Sequence, residues 1–273
     1  MAVTMADIQH LRKMTGAGMM DCKNALTEAN GDFDEAMGII RKRGQAVASK
    51  REDRDASEGC VLAKTEGDFA AVVSLQCETD FVALNDDYIA LTQEILDAAI
   101  VNKPETIEEL LAINVSNGTV SEVITDKMAS TGEKMEIGSF EHITAPYVVS
   151  YIHMGNKLAT IVGFNKEVAD EQVARDVAMQ IAAMNPVAVT PEGIPADVKE
   201  NELKIAKEKA REAGKPENLL DRIAEGSLQK FYKDFALLQQ DYVKDPKKNI
   251  EQFLKEYDKD LEVVSFKRVS LSV

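Results

Sequence analysis

Residues 60–96, CVLAKTEGDFAAVVSLQCETDFVALNDDYIALTQEIL, contain the change of period that decides the fold class. Residues 60–78 read as two β-runs turning at Glu66-Gly67-Asp68, the second carrying the strand-favouring Val72 and Val73. An antiparallel hairpin is the simple arrangement. From Asp86 to Ile100 the apolar residues Ile89, Leu91, Ile95, Leu96 and Ala99 return at helical spacing, behind the start signal Asn85-Asp86-Asp87. The chain passes from hairpin to helix through Thr79-Asp80-Phe81-Val82.

Downstream, helical stretches at roughly 105–114 and 119–130 precede a β-rich run in EKMEIGSFEHITA (133–145). YVVSYIHMGNKLATIVGF (147–164) then reads as two apolar strands around Gly155-Asn156, followed by a helix from about Asp170 to Met184 that stops before Pro186. Strands, helices and a strand, then strands and a helix, make two α+β units rather than alternating βαβ. Between 198 and 238 the composition becomes rich in Ala, Glu, Lys, Leu and Arg. Leu219, Ile223 and Ala224, Leu228 with Phe231 and Tyr232, and Phe235 step at three or four residues, and Gly214-Lys215-Pro216 interrupts the stretch. An antiparallel helical hairpin with the break as its tip fits this pattern. A short helix at Ile250–Tyr257 and a closing strand, LEVVSFKRVSL, complete the chain.

Upstream, the first 45 residues read as three short helices. Thr4 caps the first, with Ile8, Leu11 and Met14 inward; Cys22, Ala25, Leu26 and Ala29 mark the second. Asp32 with Glu35 starts the third, Phe33, Ala36, Met37 and Ile40 face inward, and Gly44 is its expected stop. Residues 46–58, dense in charge, suit a solvated linker or a surface helix. Residues 1–56 hold nine Lys and Arg against nine Asp and Glu, so the whole excess behind the net charge of −15 lies beyond them. The expected units are therefore a bundle at 1–45, a linker at 46–58, a core lobe at 59–140 and a second at 141–273, interrupted by the hairpin at about 198–238. The fold class is α+β.

Composition excludes several functions. At 273 residues, 45% hydrophobic and without a run near ~20 apolar positions, the chain reads as a soluble globular protein of the cytoplasm that does not span a membrane. Its acidity disfavours general adhesion to phosphate backbones or anionic lipid, which requires neutralisation by Lys and Arg; a protein partner is expected, with no direct nucleic acid and no membrane. Cys22, Cys60 and Cys77, odd in number and widely spaced, read as reduced thiols. No Walker-type phosphate loop occurs, and Gly16-Ala17-Gly18 has Asp21 where a dinucleotide fingerprint needs its third glycine. His10, His142 and His153 are the only imidazoles, with no H-E-x-x-H and no G-x-S-x-G. No cofactor or metal is expected.

Two constellations remain. Met19 and Met20, beside Asp21 and Lys23, close a glycine-rich loop; one can pack under the bundle, but adjacent side chains at a helix start cannot both do so, and the outward one offers an adaptable apolar contact. Thr79-Asp80-Phe81-Val82 has a structural reading, with Thr79 or Asp80 as an N-cap and Phe81 in the core, beside a functional one as an exposed motif.

The run LRKMTGAGMMDCKNAL, then ANGDFDEA, CETDFVALND, YIHMGNKLATIVGF and IAAMNP, in this order, closely resembles the bacterial translation elongation factor Ts family from about residue 5 to the closing strand. That resemblance implies a guanine-nucleotide exchange factor for elongation factor Tu, acting on a GTPase partner with no active site of its own. It implies a ubiquitin-associated-like bundle, a two-lobed core and an inserted coiled coil that pairs two copies or packs on itself. Thr79, Asp80, Phe81 and Val82 would displace magnesium in the partner, Asp80 and Phe81 entering near its phosphate site. Arg12, Met19, Met20 and Lys23 would dock on the same partner domain and His153 on another. Two rivals stay open: an adaptor in which only the bundle meets partners and TDFV is core, and a thiol enzyme using Cys77 or Cys22 at depressed pKa.

Overall fold

Three helices open the chain in the computed structural model, which describes residues 3–271 apart from the side chain at position 48. The outermost residues of the first and last expected units, 1–2 and 272–273, lie outside that range. Helix α1 (Met5–Thr15) starts at a reciprocal box in which the Thr4 hydroxyl accepts from Asp7 N–H and the Asp7 carboxylate accepts from Thr4 N–H; Gly16 closes it at φ 68°. Helices α2 (Met19–Glu28) and α3 (Phe33–Lys50) follow, and Ile8, Leu11, Cys22, Leu26, Ala36 and Ile40 bury together between the three.

Gly44 does not stop α3. The helix runs through it to Lys50, taking up the first part of the expected linker. A Cβ at position 44 would lie 3.0 Å from the Ala129 Cβ and 3.0 Å from the Thr125 carbonyl oxygen. The glycine is there because α3 lies against another helix, where a side chain would have to displace its neighbours. The remainder of the linker is strapped down: Arg51 pairs with Glu78 at 2.6 Å, and the Lys134 ammonium donates to the carbonyls of Glu52 and Arg54.

Strands β1 (Glu58–Glu66) and β2 (Phe69–Cys77) pair antiparallel from Glu58 with Cys77 to Glu66 with Phe69, turning through Gly67 at φ 60°. A single-turn helix α4 (Asp80–Ala83), then α5 (Asp86–Asn102) and α6 (Ile107–Ala112), lead to a two-residue hairpin of β3 (Asn114–Val115) and β4 (Gly118–Thr119) that the periodicity does not announce. Helix α7 (Val120–Thr131), which carries Thr125 and Ala129, packs on α3 and leads into β5 (Met135–Thr144), third strand of a β1-β2-β5 sheet. Since β5 runs through residue 140, the expected boundary between lobes falls inside a strand. The chain turns at Ala145-Pro146, where a proline cannot extend the strand ladder.

The second sheet pairs β6 (Tyr147–Ile152) with β7 (Leu158–Phe164), and the last strand of the chain lies on the other side of β7. Helix α8 (Glu171–Met184) ends in Asn185 at φ 44°, just before Pro186. Helices α9 (Ala196–Glu212) and α10 (Leu220–Phe235) form the hairpin, bent at residues 213–216 with Gly214 at φ 71°. Ala206, Ala210, Leu220, Ala224 and Leu228 are its buried positions, so the pair packs on itself. A small pair of strands, β8 (Asp241–Tyr242) and β9 (Asp245–Asn249), precedes α11 (Ile250–Tyr257) and β10 (Val263–Ser270).

The strands alternate between two cores. Cys60, Leu62, Phe69, Ala71, Val73, Leu75 and Cys77 face α5, α6 and α7. Val61, Ala63, Ala70 and Val72 face the second sheet, meeting Val148, Ala159, Ile161 and Val269. The far side of that sheet packs under α8 and α11 through Val149, Val162, Phe164, Val177 and Leu254. Helices, sheet, sheet and helices thus stack as layers, an α+β architecture with antiparallel sheets. Among the described residues no helix is long and apolar enough to cross a membrane.

Gly44→Val is expected to destabilise by about 1–3 kcal/mol, since the packing conflict with α7 outweighs the improved helix propensity. A thermal melt checks the loss, and faster proteolysis between residues 51 and 57 would locate it at the α3–α7 contact.

Candidate docking site

The segment after β2 is held by side chains distant in sequence. Cys77 is buried, and its thiol donates to the Thr79 carbonyl at 3.2 Å. The Glu78 carboxylate accepts from the Lys134 backbone N–H at 2.7 Å and from Arg51 at 2.6 Å, which together hold its pKa below the ordinary 4.5. Thr79 donates twice to Glu133, its N–H at 3.1 Å and its hydroxyl at 2.6 Å. Thr79 occupies the N-cap position of α4, but its hydroxyl serves Glu133 and makes no cap bond.

A single helical turn has only one face to bury. Ala83 takes it, with Val82 half-buried against the first core, so Asp80, Phe81 and Leu84 point outward. Phe81 is 86% exposed and Leu84 66%. The core reading of Phe81 is therefore overturned, while the backbone beneath it is firmly fixed: Ala83 N–H reaches Thr79 O at 3.2 Å and Leu84 N–H reaches Asp80 O at 2.9 Å. An aromatic ring this exposed on a fixed base is open to contact, and ordering it would cost little further entropy.

Arg12, Met19, Met20 and Lys23 are all exposed at the end of α1 and the start of α2. Neither methionine packs beneath the bundle; Met19 is 38% exposed and Met20 65%, since Cys22, Ala25 and Leu26 already fill that space. These residues stand apart from α4, on helices joined to the first lobe through α3. His153 is exposed in the β6–β7 connection, its Nδ1 3.0 Å from the Tyr151 hydroxyl. That connection reaches the same end of the two sheets as α4: Val61 N–H of β1 donates to Asn156 O at 2.7 Å, and the Lys157 ammonium to Glu58 at 2.8 Å.

Glu78, Glu133, Leu84 and Met154 belong to this end of the molecule and escape a reading of the sequence alone. Glu133 stands 54 positions from Thr79, with no local pattern to link them; Leu84 and Met154 carry the weak signal of an apolar residue beside a turn. The thiol reading is contradicted. Cys22, Cys60 and Cys77 are all buried, and burial raises each thiol, Cys60 and Cys77 to about 11. Thiols so placed are poor nucleophiles.

Asp80 and Phe81 thus stand side by side on the surface of a layered α+β scaffold. The family described as Elongation factor TS matches residues 78–272. The chain is 60% identical to elongation factor Ts of Porphyromonas gingivalis, covering 100% of this chain and 99% of that one. It is 54% identical to elongation factor Ts of Azobacteroides pseudotrichonymphae, with both chains fully covered, and 46% identical to that of Phocaeicola vulgatus, with 99% of each covered. The chain belongs to the elongation factor Ts family, the guanine-nucleotide exchange factors that serve elongation factor Tu in translation elongation.

Two outcomes follow for the isolated protein. Phe81→Ala should change stability by no more than about 0.5 kcal/mol, whereas Leu75→Ala in the buried face of β2 should cost about 2–5 kcal/mol; paired thermal melts decide this. Because Glu78 has a lowered folded pKa, its contribution is present above the unfolded carboxylate value and lost as pH falls through the folded one. Protection from hydrogen exchange at residues 79–84, measured relative to the intrinsic rate at each pH, should therefore be lost as pH falls through the folded Glu78 pKa, below the ordinary 4.5, before the sheet amides lose theirs.

Proposed function

We propose that this chain accelerates GDP release from elongation factor Tu by inserting Asp80 and Phe81 beside the magnesium and phosphate site of the partner. The observation that carries this reading is the exposure of Phe81 on a backbone fixed by Glu133. Thr79 and Val82 set the pair's position: one is tied to Glu133, the other packs inward. Asp80 brings a carboxylate to a place where magnesium offsets phosphate charge, and a charge there is strongly felt.

Accelerating release by about 10⁴ requires roughly 5.5 kcal/mol off the dissociation barrier. Burying a Phe supplies roughly 1.5–3 kcal/mol, and loss of the partner's magnesium, with docking elsewhere, supplies the rest. The coupling is reciprocal, so nucleotide rebinding must loosen the factor's hold by the same factor. Arg12, Met19, Met20 and Lys23 form the docking surface of a ubiquitin-associated-like bundle for the same partner domain, and His153 meets another. These assignments favour exchange over the adaptor reading, which would keep Phe81 in the core. A role in translation elongation supports a cytoplasmic protein whose partner is elongation factor Tu, acting without a direct hold on nucleic acid or membrane. The hairpin α9–α10 is a coiled-coil arm whose apolar positions face each other; pairing of two copies through it would be seen in analytical ultracentrifugation as a mass that drops when the arm is replaced by a short Gly/Ser turn.

Stopped-flow release of a fluorescent GDP from elongation factor Tu tests the proposal. The purified chain should accelerate release, and Met20→Ala or Arg12→Ala should raise the concentration needed for half-maximal effect while leaving the saturated rate near normal, as expected of docking residues. No acceleration by the wild-type chain would overturn the reading.

A further inference from the structure

The bundle meets the rest of the molecule through a seam with little apolar content. Its core closes within itself, the core of the first lobe does the same, and no buried residue belongs to both. Helix α3 approaches α7 closely at Gly44, yet two cavities, of about 90 and 100 Å³, both open against Arg41 and Asp126 in that seam. Among the described residues, every hydrogen bond and ion pair that joins residues 3–50 to the lobes is made by Arg41. Its guanidinium donates to the Asn117 carbonyl at 3.0 Å and stands 3.6 Å from the Glu122 carboxylate and 3.9 Å from that of Asp126.

The surface that receives Arg41 is itself fixed. Asn117 lies in the turn between β3 and β4, where the neighbouring Ser116 donates to Glu94 of α5 through its hydroxyl and, at 3.2 Å, its N–H. Gly118 holds φ 135°, and a Cβ there would lie 2.6 Å from Glu122 Oε2, so glycine is what lets Glu122 fold back over the start of α7. That Oε2 accepts from Thr119 N–H at 2.7 Å, which leaves Oε1 to face Arg41. One turn further on, Asp126 keeps Oδ1 buried with no hydrogen-bond partner among the described residues. Burial pushes its carboxyl pKa up, and the Arg41 charge is what draws it back.

Resting on the exchange reading above, we infer that Arg41 is a positioning residue for nucleotide exchange: it pins the bundle on α7, so that Arg12, Met19, Met20 and Lys23 face elongation factor Tu in one fixed relation to α4. A polar, loosely packed seam between two modules leaves relative motion as the default. One arginine changes that, because its planar fork addresses a carbonyl and two carboxylates together, as a lysine ammonium does not. Without it Asp126 stays buried beside Glu122 with no cation, and an uncompensated buried charge favours parting the helices. The bundle would then hold its docking orientation for only a fraction of the time, and apparent affinity falls by that fraction. The release step is spared, since Glu78 and Glu133 hold the base of α4 without touching Arg41.

Paired spin labels at Asp34→Cys on α3 and Glu108→Cys on α6, both exposed positions in a chain whose own three cysteines are buried, measure the seam in the free protein. The distance distribution should be narrow in the otherwise wild-type chain, broad with Arg41→Ala and intermediate with Arg41→Lys. GDP release from elongation factor Tu against concentration of the unlabelled factor should show the half-maximal concentration raised about fivefold by Arg41→Ala, as for an orientation held a fifth of the time, with the saturated rate within about twofold. In a Met19→Ala/Met20→Ala background the same substitution should add little, because the surface it positions is already blunted. A distribution that stays narrow in Arg41→Ala overturns the pin. A broad distribution with an unchanged release curve, or a full fivefold effect in the methionine background, leaves Arg41 a structural residue and overturns its positioning role. No acceleration by wild type, with the distances as expected, would instead bring down the exchange reading and the positioning role with it.

Discussion

Double-sided burial of β2 is the constraint on which the rest of the molecule depends. Its odd-numbered residues from Phe69 to Cys77 fill one core and its even-numbered Ala70 and Val72 another, so no register slip is tolerated on either side. A shift by one residue would send Ala70 and Val72 into the space shaped for Phe69, Val73 and Leu75. Because the strand cannot slide, the residue after it cannot move either. The chain leaves the sheet at Cys77 and enters the exposed turn within three residues, with Glu78 and Glu133 securing the exit. Asp80 and Phe81 are thus exposed and fixed at once, a combination that an ordinary surface loop does not provide.

That arrangement explains how a factor can act on a nucleotide bound elsewhere. Conformational entropy is lost when the protein folds rather than when it meets the partner, so more of the contact free energy remains for differential binding. On the proposed reading, the distinction between hold and release is spatial. The bundle, carried on α3 and packed across α7 at Gly44, presents methionines and basic residues with little net charge, while α4 presents an aromatic ring and a carboxylate. The Arg51–Glu78 pair and the Lys134 contacts join these regions, so that the helix leading from the bundle and the base of the wedge share one set of anchors.

Much of this was legible in the sequence. The period change at residues 60–96, the Thr4 cap, the turn at Gly67, the stop before Pro186 and the tip at Gly214 all follow from local chemistry, and local chemistry is what a sequence displays. Gly44 misleads for the same reason: a glycine after a helical run is the usual stop signal, and only the approach of α7, some 80 positions away, shows that it marks a close contact. Phe81 is ambiguous in the sequence because aromatic residues favour cores; its exposure depends on Val82 and Ala83 occupying the single inward face of a one-turn helix. Glu133 as the partner of Thr79 and Glu58 as the partner of Lys157 are set by strand pairing and by the stacking of two sheets, neither of which leaves a local pattern. The two-residue strands β3 and β4 are too short to show a period at all.

The central claim is that Phe81 promotes release by disturbing the partner's magnesium, and it is tested most directly by GDP release at saturating factor, wild type against Phe81→Ala, with magnesium present and after chelation. The account predicts that with magnesium the variant is slower by about tenfold or more, equivalent to at least ~1.4 kcal/mol of barrier, and that chelation shrinks the difference to about twofold because the step promoted by Phe81 has already occurred. Equal fold losses under both conditions would contradict it and make Phe81 an anchor like any other.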